Sequence, residues 1–181
     1  TLFKQGYDSQ LDPKFASGWT KVDDQSVPDW DNQKGGQIFE QMLTKANGAI
    51  DGVLAANDGL GNAAIAVLKK NNLQIPVTGQ DASTQGLQNI LAGDQCMTVY
   101  KAVKQEATAA ALLAVSLATG QTIRAGQSVR DPGSGKYVPS RLLTPQAITK
   151  ENIRVVIDDE FVTKAELCTP AYAAACAAAH I

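Results

Sequence analysis

The stretch from Ala49 to Asn71, AIDGVLAANDGLGNAAIAVLKKN, constrains the fold of this chain more than any other feature. It opens with a run of strand length at residues 50–56 that is apolar except for Asp51 and Gly52, and the polar turn at residues 57–59 then interrupts this run. From Leu60 onward the apolar residues recur at helical spacing, so the stretch predicts strand, turn and helix in that order. A polar turn at the carboxyl end of a buried strand is where open α/β sheets bind their ligands.

Strands and helices alternate in the same way over the first two thirds of the chain. Strands are predicted at residues 19–22, 50–56, 75–78 and 96–100. Helices are predicted at residues 2–15 with an interruption at Pro13, after the N-cap candidate Asp31, from Leu60, from the N-cap candidate Ser83 to Leu91, and at residues 103–117. This alternation predicts an α/β fold whose parallel sheet is covered by helices on both faces.

The pattern changes after Gly120. Residues 121–137 are rich in glycine, serine and charge and lack helical spacing, and they contain a predicted turn at residues 131–135. A strand is predicted at residues 138–143, followed by a short helix within residues 148–160 that passes into a strand at residues 155–157. This last third therefore predicts a different piece of architecture from the preceding strand–helix units.

Composition narrows the class of protein. A length of 181 residues corresponds to about one domain, and a hydrophobic content of 44% is typical of a globular chain. The net charge of -2, without a basic block, argues against nucleic-acid binding and against anionic membrane surfaces. The longest apolar stretch, residues 107–118, is shorter than the roughly 20 residues that span a bilayer. No signal peptide is visible, but an amphipathic segment is already under way at Thr1, so we expect the natural N-terminus to lie earlier.

The three cysteines leave two interpretations open. All three could be reduced thiols, or Cys168 and Cys176 in the alanine-rich tail could form a disulfide, which would imply an oxidising compartment. Cys96 falls in a predicted strand. No residues have the spacing of a zinc site, and His180 is the only histidine, so the sequence predicts neither a metal nor a cofactor.

Four side chains follow successive predicted strands and form the candidate ligand site: Trp30, Asn57, Asp81 and Lys101. In a parallel sheet the loops that carry them lie at the same edge. Asn donates and accepts, an ionised Asp accepts two hydroxyl hydrogens, Lys donates to a further oxygen, and Trp offers a flat apolar face. The set suits a small polyhydroxylated ring. It suits a phosphate poorly, because Asp would repel it, and it lacks the nucleophile–base or paired-carboxylate geometry of an enzyme.

A competing motif overlaps the central turn. Residues 59–64, GLGNAA, fit the dinucleotide fingerprint G-x-G-x-x-A, and Asp81 follows about twenty residues later. The alternative hypothesis is therefore an NAD-binding oxidoreductase domain. Two details weaken it: Asn57 and Asp58 separate the strand from the first glycine, and at least one strand–helix unit precedes the motif, which normally opens its domain.

Several segments together resemble a known family. They are IDGVLAAND at residues 50–58, VTGQDAS at 77–83, QCMTVYK at 95–101, VPSRLLTP at 138–145 and ITKENI at 148–153. The chain resembles, over nearly all of residues 1–167, the sugar-binding proteins of bacterial ABC importers, which are type I periplasmic binding proteins. The cysteine-bearing tail lies outside this resemblance, and Cys96 stands where the family pattern usually has threonine.

The resemblance implies a two-lobe architecture. Residues 1–100 would form most of the second, three-layer α/β lobe, and residues 101–123 would be a crossing helix that packs on the first lobe. Residues 124–181 would return to the second lobe and form the tail. On this interpretation most of the first lobe is absent from this chain.

The resemblance also implies a function and a set of partners. Trp30 would stack on a sugar ring, while Asn57, Asp81 and Lys101 would bind its hydroxyls. The ligand would be a monosaccharide, with D-xylose the expected pentose, and hinge closure of the lobes would present it to a membrane permease. The protein would act in the periplasm or at the outer face of the membrane, where a lipid anchor on an earlier N-terminus is an open option. A sugar-responsive transcription regulator of the same fold is a further alternative, but it would need a DNA-binding headpiece, which the sequence does not show.

Overall fold

The computed structural model describes residues 2–121 and 126–181 of the chain. Its helices are α1 (Leu2–Ala16), α2 (Asn32–Lys45), α3 (Asp58–Lys70), α4 (Thr84–Ala92), α5 (Val103–Ala118), α6 (Arg154–Asp158), α7 (Lys164–Leu167) and α8 (Ala173–Ala178). Its strands are β1 (Thr98–Tyr100), β2 (Gln127–Arg130), β3 (Tyr137–Ser140) and β4 (Gln146–Ile148). The chain divides into two compact units: unit 1 comprises Thr1–Val99 and Ala147–Ile181, and unit 2 comprises Tyr100–Gln146.

Unit 1 contains the parallel arrangement that the alternating pattern predicts. Val53 and Val77 form a parallel bridge, and the Cys96 N–H donates to the Val77 carbonyl at 2.9 Å. The segments at 50–56, 75–78 and 96–100 therefore lie side by side in chain order. The first two segments form less regular strand than predicted. At Ala55 the backbone N–H donates to the Thr78 side-chain hydroxyl at 3.1 Å, where a regular strand pair would use a backbone carbonyl.

Helices α2, α3 and α4 supply most of the apolar core of unit 1. Phe39 and Leu43 of α2 pack with the apolar face of α3 and with Val77, and α4 packs against α3, α7 and α8. Asp31 and Ser83 act as the predicted N-caps, since their side chains accept backbone N–H groups of α2 and α4. These caps begin each helix directly after the loop that precedes it.

Several predicted elements at the periphery are wrong. Residues 19–22 form no strand, because the Trp19 N–H donates to the Lys14 carbonyl and closes the end of α1. Residues 155–157 lie in helix α6, where the Asp159 N–H donates to the Val155 carbonyl in a helical bond. Helix α1 is continuous through Pro13. Strand β2 is not predicted by its polar sequence; it forms because a turn pairs it antiparallel with β3.

The carboxyl-terminal tail contains an internal disulfide, and the segment that leads into it is hydrogen-bonded to α4 of unit 1. Cys168 and Cys176 form a disulfide, which decides between the two interpretations of these cysteines. The Gln88 side-chain amide of α4 donates to the carbonyls of Glu166 and Leu167 at 3.3 and 3.2 Å. Leu167 and Cys176 are buried, so the tail belongs to the packed part of unit 1.

Unit 2 contains helix α5 and the β2–β3 hairpin. Neither α5 nor the hairpin buries a side chain. The predicted crossing segment at residues 101–123 contains α5, and its predicted end at 123–124 lies outside the described residues. Its role as a crossing to another lobe stays a prediction. None of the described helices combines the length and apolar character that crossing a membrane requires.

Candidate functional site

Hydrogen bonds and close packing place three loops of unit 1 side by side. A Cβ added to Gly59 would lie 2.6 Å from the Asn32 side-chain oxygen, so the start of α3 packs tightly on the start of α2. The Asp58 N–H donates to the Gln80 carbonyl at 2.9 Å, which joins the start of α3 to the next loop. The loops that carry Trp30, Asn57 and Asp81 are therefore neighbours along one edge of the sheet.

Trp30 ends a short 3-10 helix at Pro28–Trp30 and stands just before α2. Its side chain is 51% exposed. Asp29 and Trp30 have φ angles of 56° and 57°, in the left-handed region that bulky residues rarely occupy. An exposed indole on a strained backbone is typical of a residue positioned for contact with another molecule.

Asn57 is the N-cap of α3, and its side-chain oxygen accepts the Leu60 N–H at 2.9 Å. The cap fixes the orientation of the half-buried amide group. Because the cap uses the oxygen, the side-chain NH₂ is the group best placed to donate to a ligand. The structural and the proposed binding roles of Asn57 therefore use different atoms of the same amide.

Asp81 is exposed and has a φ angle of 96°. Its N–H donates to the Val99 carbonyl at 2.9 Å, which ties it to the strand that leads to Lys101. The neighbouring Ala82 is also left-handed, with a φ angle of 49°. Such strain in non-glycine residues persists only where the surroundings fix the backbone, and it is concentrated at ligand-binding sites.

Lys101 directly follows β1 and belongs to unit 2. Unit 1 therefore carries three of the four candidate residues by itself. That all four bind one ligand stays a prediction.

The sequence reasoning missed the role of Asp58. It considered Asp58 only as a residue that separates the predicted strand from the first glycine, whereas the side chain is 1% exposed and is turned into unit 1. One oxygen accepts the Ser83 N–H at 2.7 Å, and the other accepts hydrogen bonds from Gln95 and Thr98, each at 2.8 Å. The only sequence feature that marks Asp58 is its position beside the cap residue Asn57. This position does not reveal its hydrogen-bond partners, which lie far along the chain.

The glycines of the dinucleotide-like motif are accounted for by packing. A Cβ on Gly59 would meet the Asn32 side chain, and a Cβ on Gly61 would lie 3.2 Å from the Thr78 carbonyl oxygen. Neighbouring protein atoms, and not an open space for a pyrophosphate, therefore explain both glycines. The structure gives the NAD hypothesis no support.

The Asp31 carboxylate, next to Trp30, is held by backbone N–H groups in the first turn of α2. Asp31 accepts the Lys34 and Gln33 N–H groups at 3.0 and 2.9 Å, and the Lys34 N–H contributes most to lowering the pKa of the Asp31 carboxyl. The carboxylate is therefore used in capping. Over residues 2–121 and 126–181, no three side chains of the types that hold metal ions cluster together.

Comparison with known proteins gives consistent matches. A family model described as a periplasmic binding protein domain matches residues 1–122. The chain is 41% identical over 170 residues to the D-xylose-binding periplasmic protein of Escherichia coli (strain K12), covering 92% of this chain and 51% of that protein. The D-xylose-binding periplasmic protein of Haemophilus influenzae is 40% identical over 167 residues, with coverages of 90% and 50%. The chain thus spans about half the length of the curated relatives it matches.

Solved structures agree with these sequence matches. A carbohydrate transporter solute-binding protein from Chloroflexus aurantiacus, in complex with D-glucose, superposes with a TM-score of 0.73 at 26% identity, covering 86% of this chain and 54% of that one. An ABC transporter solute-binding protein from Clostridium phytofermentans with bound β-D-glucose gives a TM-score of 0.77 at 21% identity, covering 90% and 54%. The second similarity supports the fold alone.

Proposed function

The chain belongs to the periplasmic binding protein domain family, and from this we propose that it is part of the solute-binding component of an ABC importer that captures a monosaccharide. The predicted fold class, an α/β lobe of a type I periplasmic binding protein, is confirmed by the family and structural matches. D-xylose is the proposed ligand, supported by the two D-xylose-binding relatives. The proposed mechanism is capture and delivery without a chemical reaction.

One observation supports this proposal more than any other: the loops of Trp30, Asn57 and Asp81 adjoin one another along one edge of unit 1. Trp30 offers an exposed aromatic face, the Asn57 amide NH₂ is oriented by the helix cap, and the exposed Asp81 is held in an unusual backbone conformation. We propose that the indole stacks on the C–H face of the sugar and that Asn57 and Asp81 bind its hydroxyls. Lys101 is proposed to donate to a further sugar oxygen.

The proposed cycle is a hinge closure between this lobe and a first lobe, after which a membrane permease recognises the closed form. Closure removes water from the sugar, so each hydroxyl then needs a protein partner. The exposed apolar residues of α5, such as Leu112 and Val115, are consistent with the predicted crossing helix that packs on the first lobe. A location outside the cytoplasm is supported by the Cys168–Cys176 disulfide and by the periplasmic relatives.

The test is calorimetric titration of D-xylose into a protein that includes both lobes, with and without Asp81→Ala. We expect the substitution to weaken binding by about 1.5–3 kcal/mol, the range for a hydrogen bond to a charged group. Asp51→Ala is the matched control. Asp51 is also exposed, but it lies at the opposite end of the strand segment from Asn57 and the candidate site. Unchanged affinity in the Asp81→Ala protein would remove Asp81 from the site.

A second titration separates the proposal from the dinucleotide alternative. NAD is added to the same protein while tryptophan fluorescence is followed. We expect D-xylose to change the fluorescence, because Trp30 is proposed to stack on the sugar, and NAD to leave it unchanged. Saturable binding of NAD without binding of any monosaccharide would reverse the assignment.

A further inference from the structure

We propose that Asp58 and Thr98 are positioning residues for the sugar-binding Asp81, acting as a buried hydrogen-bond network that holds Asp81 and Ala82 in their left-handed backbone conformation. This inference rests on the proposed function only in naming Asp81 as a ligand residue. The network itself is a property of unit 1. Neither positioning residue contacts the sugar in this proposal.

The network reaches two successive backbone amides of the Asp81 loop. The Ala82 N–H donates to the Thr98 hydroxyl at 3.1 Å, and the Ser83 N–H donates to one Asp58 oxygen at 2.7 Å. The Thr98 hydroxyl in turn donates to the other Asp58 oxygen at 2.8 Å. A single buried carboxylate therefore holds one amide directly and its neighbour through a hydroxyl.

The Asp81 N–H adds a third anchor by donating to the Val99 carbonyl at 2.9 Å. Three consecutive backbone amides, from Asp81 to Ser83, thus donate to fixed acceptors. The first two acceptors lie in β1, and the third is the Asp58 carboxylate. This arrangement explains how two non-glycine residues keep φ angles of 96° and 49°. A left-handed conformation in such residues costs about 1–3 kcal/mol each and needs surroundings of this kind to persist.

The surroundings of Asp58 leave little room for movement. A Cβ added to Gly79 or to Gly86 would lie 2.1 or 2.3 Å from the Asp58 carboxylate, so both glycines are packed directly against it. The Gln95 side-chain amide donates to Asp58 and also to the Met97 carbonyl, at 2.8 and 3.0 Å. The carboxylate is therefore held in place by Gly79 of the preceding loop, by Gly86 of α4 and by the Gln95 side chain just before β1.

Thr98 provides the sharpest test because its hydroxyl can be removed at nearly constant shape. In the 181-residue chain, Thr98→Val deletes the hydroxyl, whereas Thr98→Ser keeps it. NMR measures the backbone carbon shifts and HN–Hα couplings of residues 81–83, which report φ, and the D-xylose affinity is measured in the two-lobe protein. Thr44→Val is the matched control, since that exposed hydroxyl only donates to the Glu40 carbonyl within α2.

We expect Thr98→Val to lose the left-handed signature of Asp81 and Ala82 and to bind D-xylose about tenfold more weakly, a change equivalent to about 1.4 kcal/mol. Thr98→Ser should restore both properties, and Thr44→Val should alter neither. If Thr98→Val fails to fold, Asp58→Asn is measured instead, because the amide keeps the size of the side chain but replaces one of its two acceptor oxygens with a donor.

A folded Thr98→Val or Asp58→Asn protein in which Asp81 keeps its left-handed backbone would overturn the inference. Loss of the backbone signature with unchanged xylose affinity would also overturn it, because positioning would then have no consequence for binding. If the unsubstituted two-lobe protein binds no monosaccharide, the proposed function fails, while the backbone measurements still decide whether the network holds the loop.

Discussion

Leu87, Ile90 and Leu91 of unit 1 are almost completely buried, whereas α5 and the β2–β3 hairpin of unit 2 bury no side chain. The two units therefore depend on different interactions. Unit 1 is stabilised by apolar burial and by long-range hydrogen bonds such as those of Asp58. The described elements of unit 2 are held by bonds within one helix and within one hairpin. The same kind of substitution should have different effects in the two units.

The largest expected difference comes from shortening a leucine in each unit. Leu87→Ala removes a side chain with 0% exposure and should lower the free energy of unfolding by about 2–5 kcal/mol, through lost burial and the cavity that remains. Leu112→Ala removes a side chain that is 65% exposed and should change it by less than about 0.5 kcal/mol. Urea unfolding followed by circular dichroism measures both variants. Equal effects would mean that Leu112 is covered in solution and that the comparison between the units is wrong.

The next effect is confined to the tail of unit 1. Reducing the Cys168–Cys176 disulfide, whose cysteines are eight positions apart, should lower stability by about 2–3 kcal/mol on the chain-entropy relation. Thermal melts with and without a thiol reductant measure the change, and hydrogen exchange locates it. We expect α8 to lose protection while the β2–β3 hairpin keeps its own.

The control for reduction is a Cys96→Ser protein, in which the disulfide is intact and the free thiol is removed. Its melting temperature should fall on reduction by as much as that of the unsubstituted chain. If reduction no longer lowered the stability of the Cys96→Ser protein, the effect would come from Cys96 and not from the Cys168–Cys176 disulfide.

Local chemistry explains which parts of the fold could be predicted. The caps at Asp31 and Ser83 were predictable because a cap depends on residues three positions apart at most. The strand predicted at 19–22 failed because a strand needs a partner, and its apolar residues cannot specify one. The segment at 50–56 was placed correctly but forms little regular ladder, since the Thr78 hydroxyl replaces a backbone acceptor.

The candidate site divides in the same way. Trp30, Asn57 and Asp81 could be selected from residue chemistry, and the adjacency of the Asn57 and Asp81 loops follows from the parallel order. The strand predicted before Trp30 does not form, and the Trp30 loop is instead placed by the packing of the start of α2 on the start of α3. The left-handed backbone at Trp30 and Asp81 could not be predicted, because neither is the glycine that usually marks such a position. Nor could the Asp58 network, whose bonds to Ser83 and Thr98 join residues 25 and 40 positions apart.

The smallest expected effect concerns the turn of the β2–β3 hairpin in unit 2. The Asp131 carboxylate accepts the Ser134 hydroxyl and N–H and the Gly133 N–H, and the Ser134 hydroxyl contributes most to lowering its pKa below the usual 3.8. Because the pKa is lower in the folded turn, the contribution of Asp131 is fully present above its unfolded pKa. It is lost as pH falls through the lower, folded value. We therefore expect the hairpin to lose order only in strong acid, with no change near neutral pH.

Carbon NMR titration of the Asp131 carboxyl measures this pKa directly. Ser134→Ala removes the largest cause and should move the titration midpoint up toward the usual value, while Asp131→Asn should abolish the acid-dependent change in the hairpin. In unit 1 the same substitutions should leave the amide signals of α4 unaltered, since the turn lies wholly in unit 2. An unshifted midpoint in the Ser134→Ala protein would show that the turn is open in solution. The local hydrogen bonds assigned to the hairpin would then not be what holds it together, and its order would have to come from packing, as it does in unit 1.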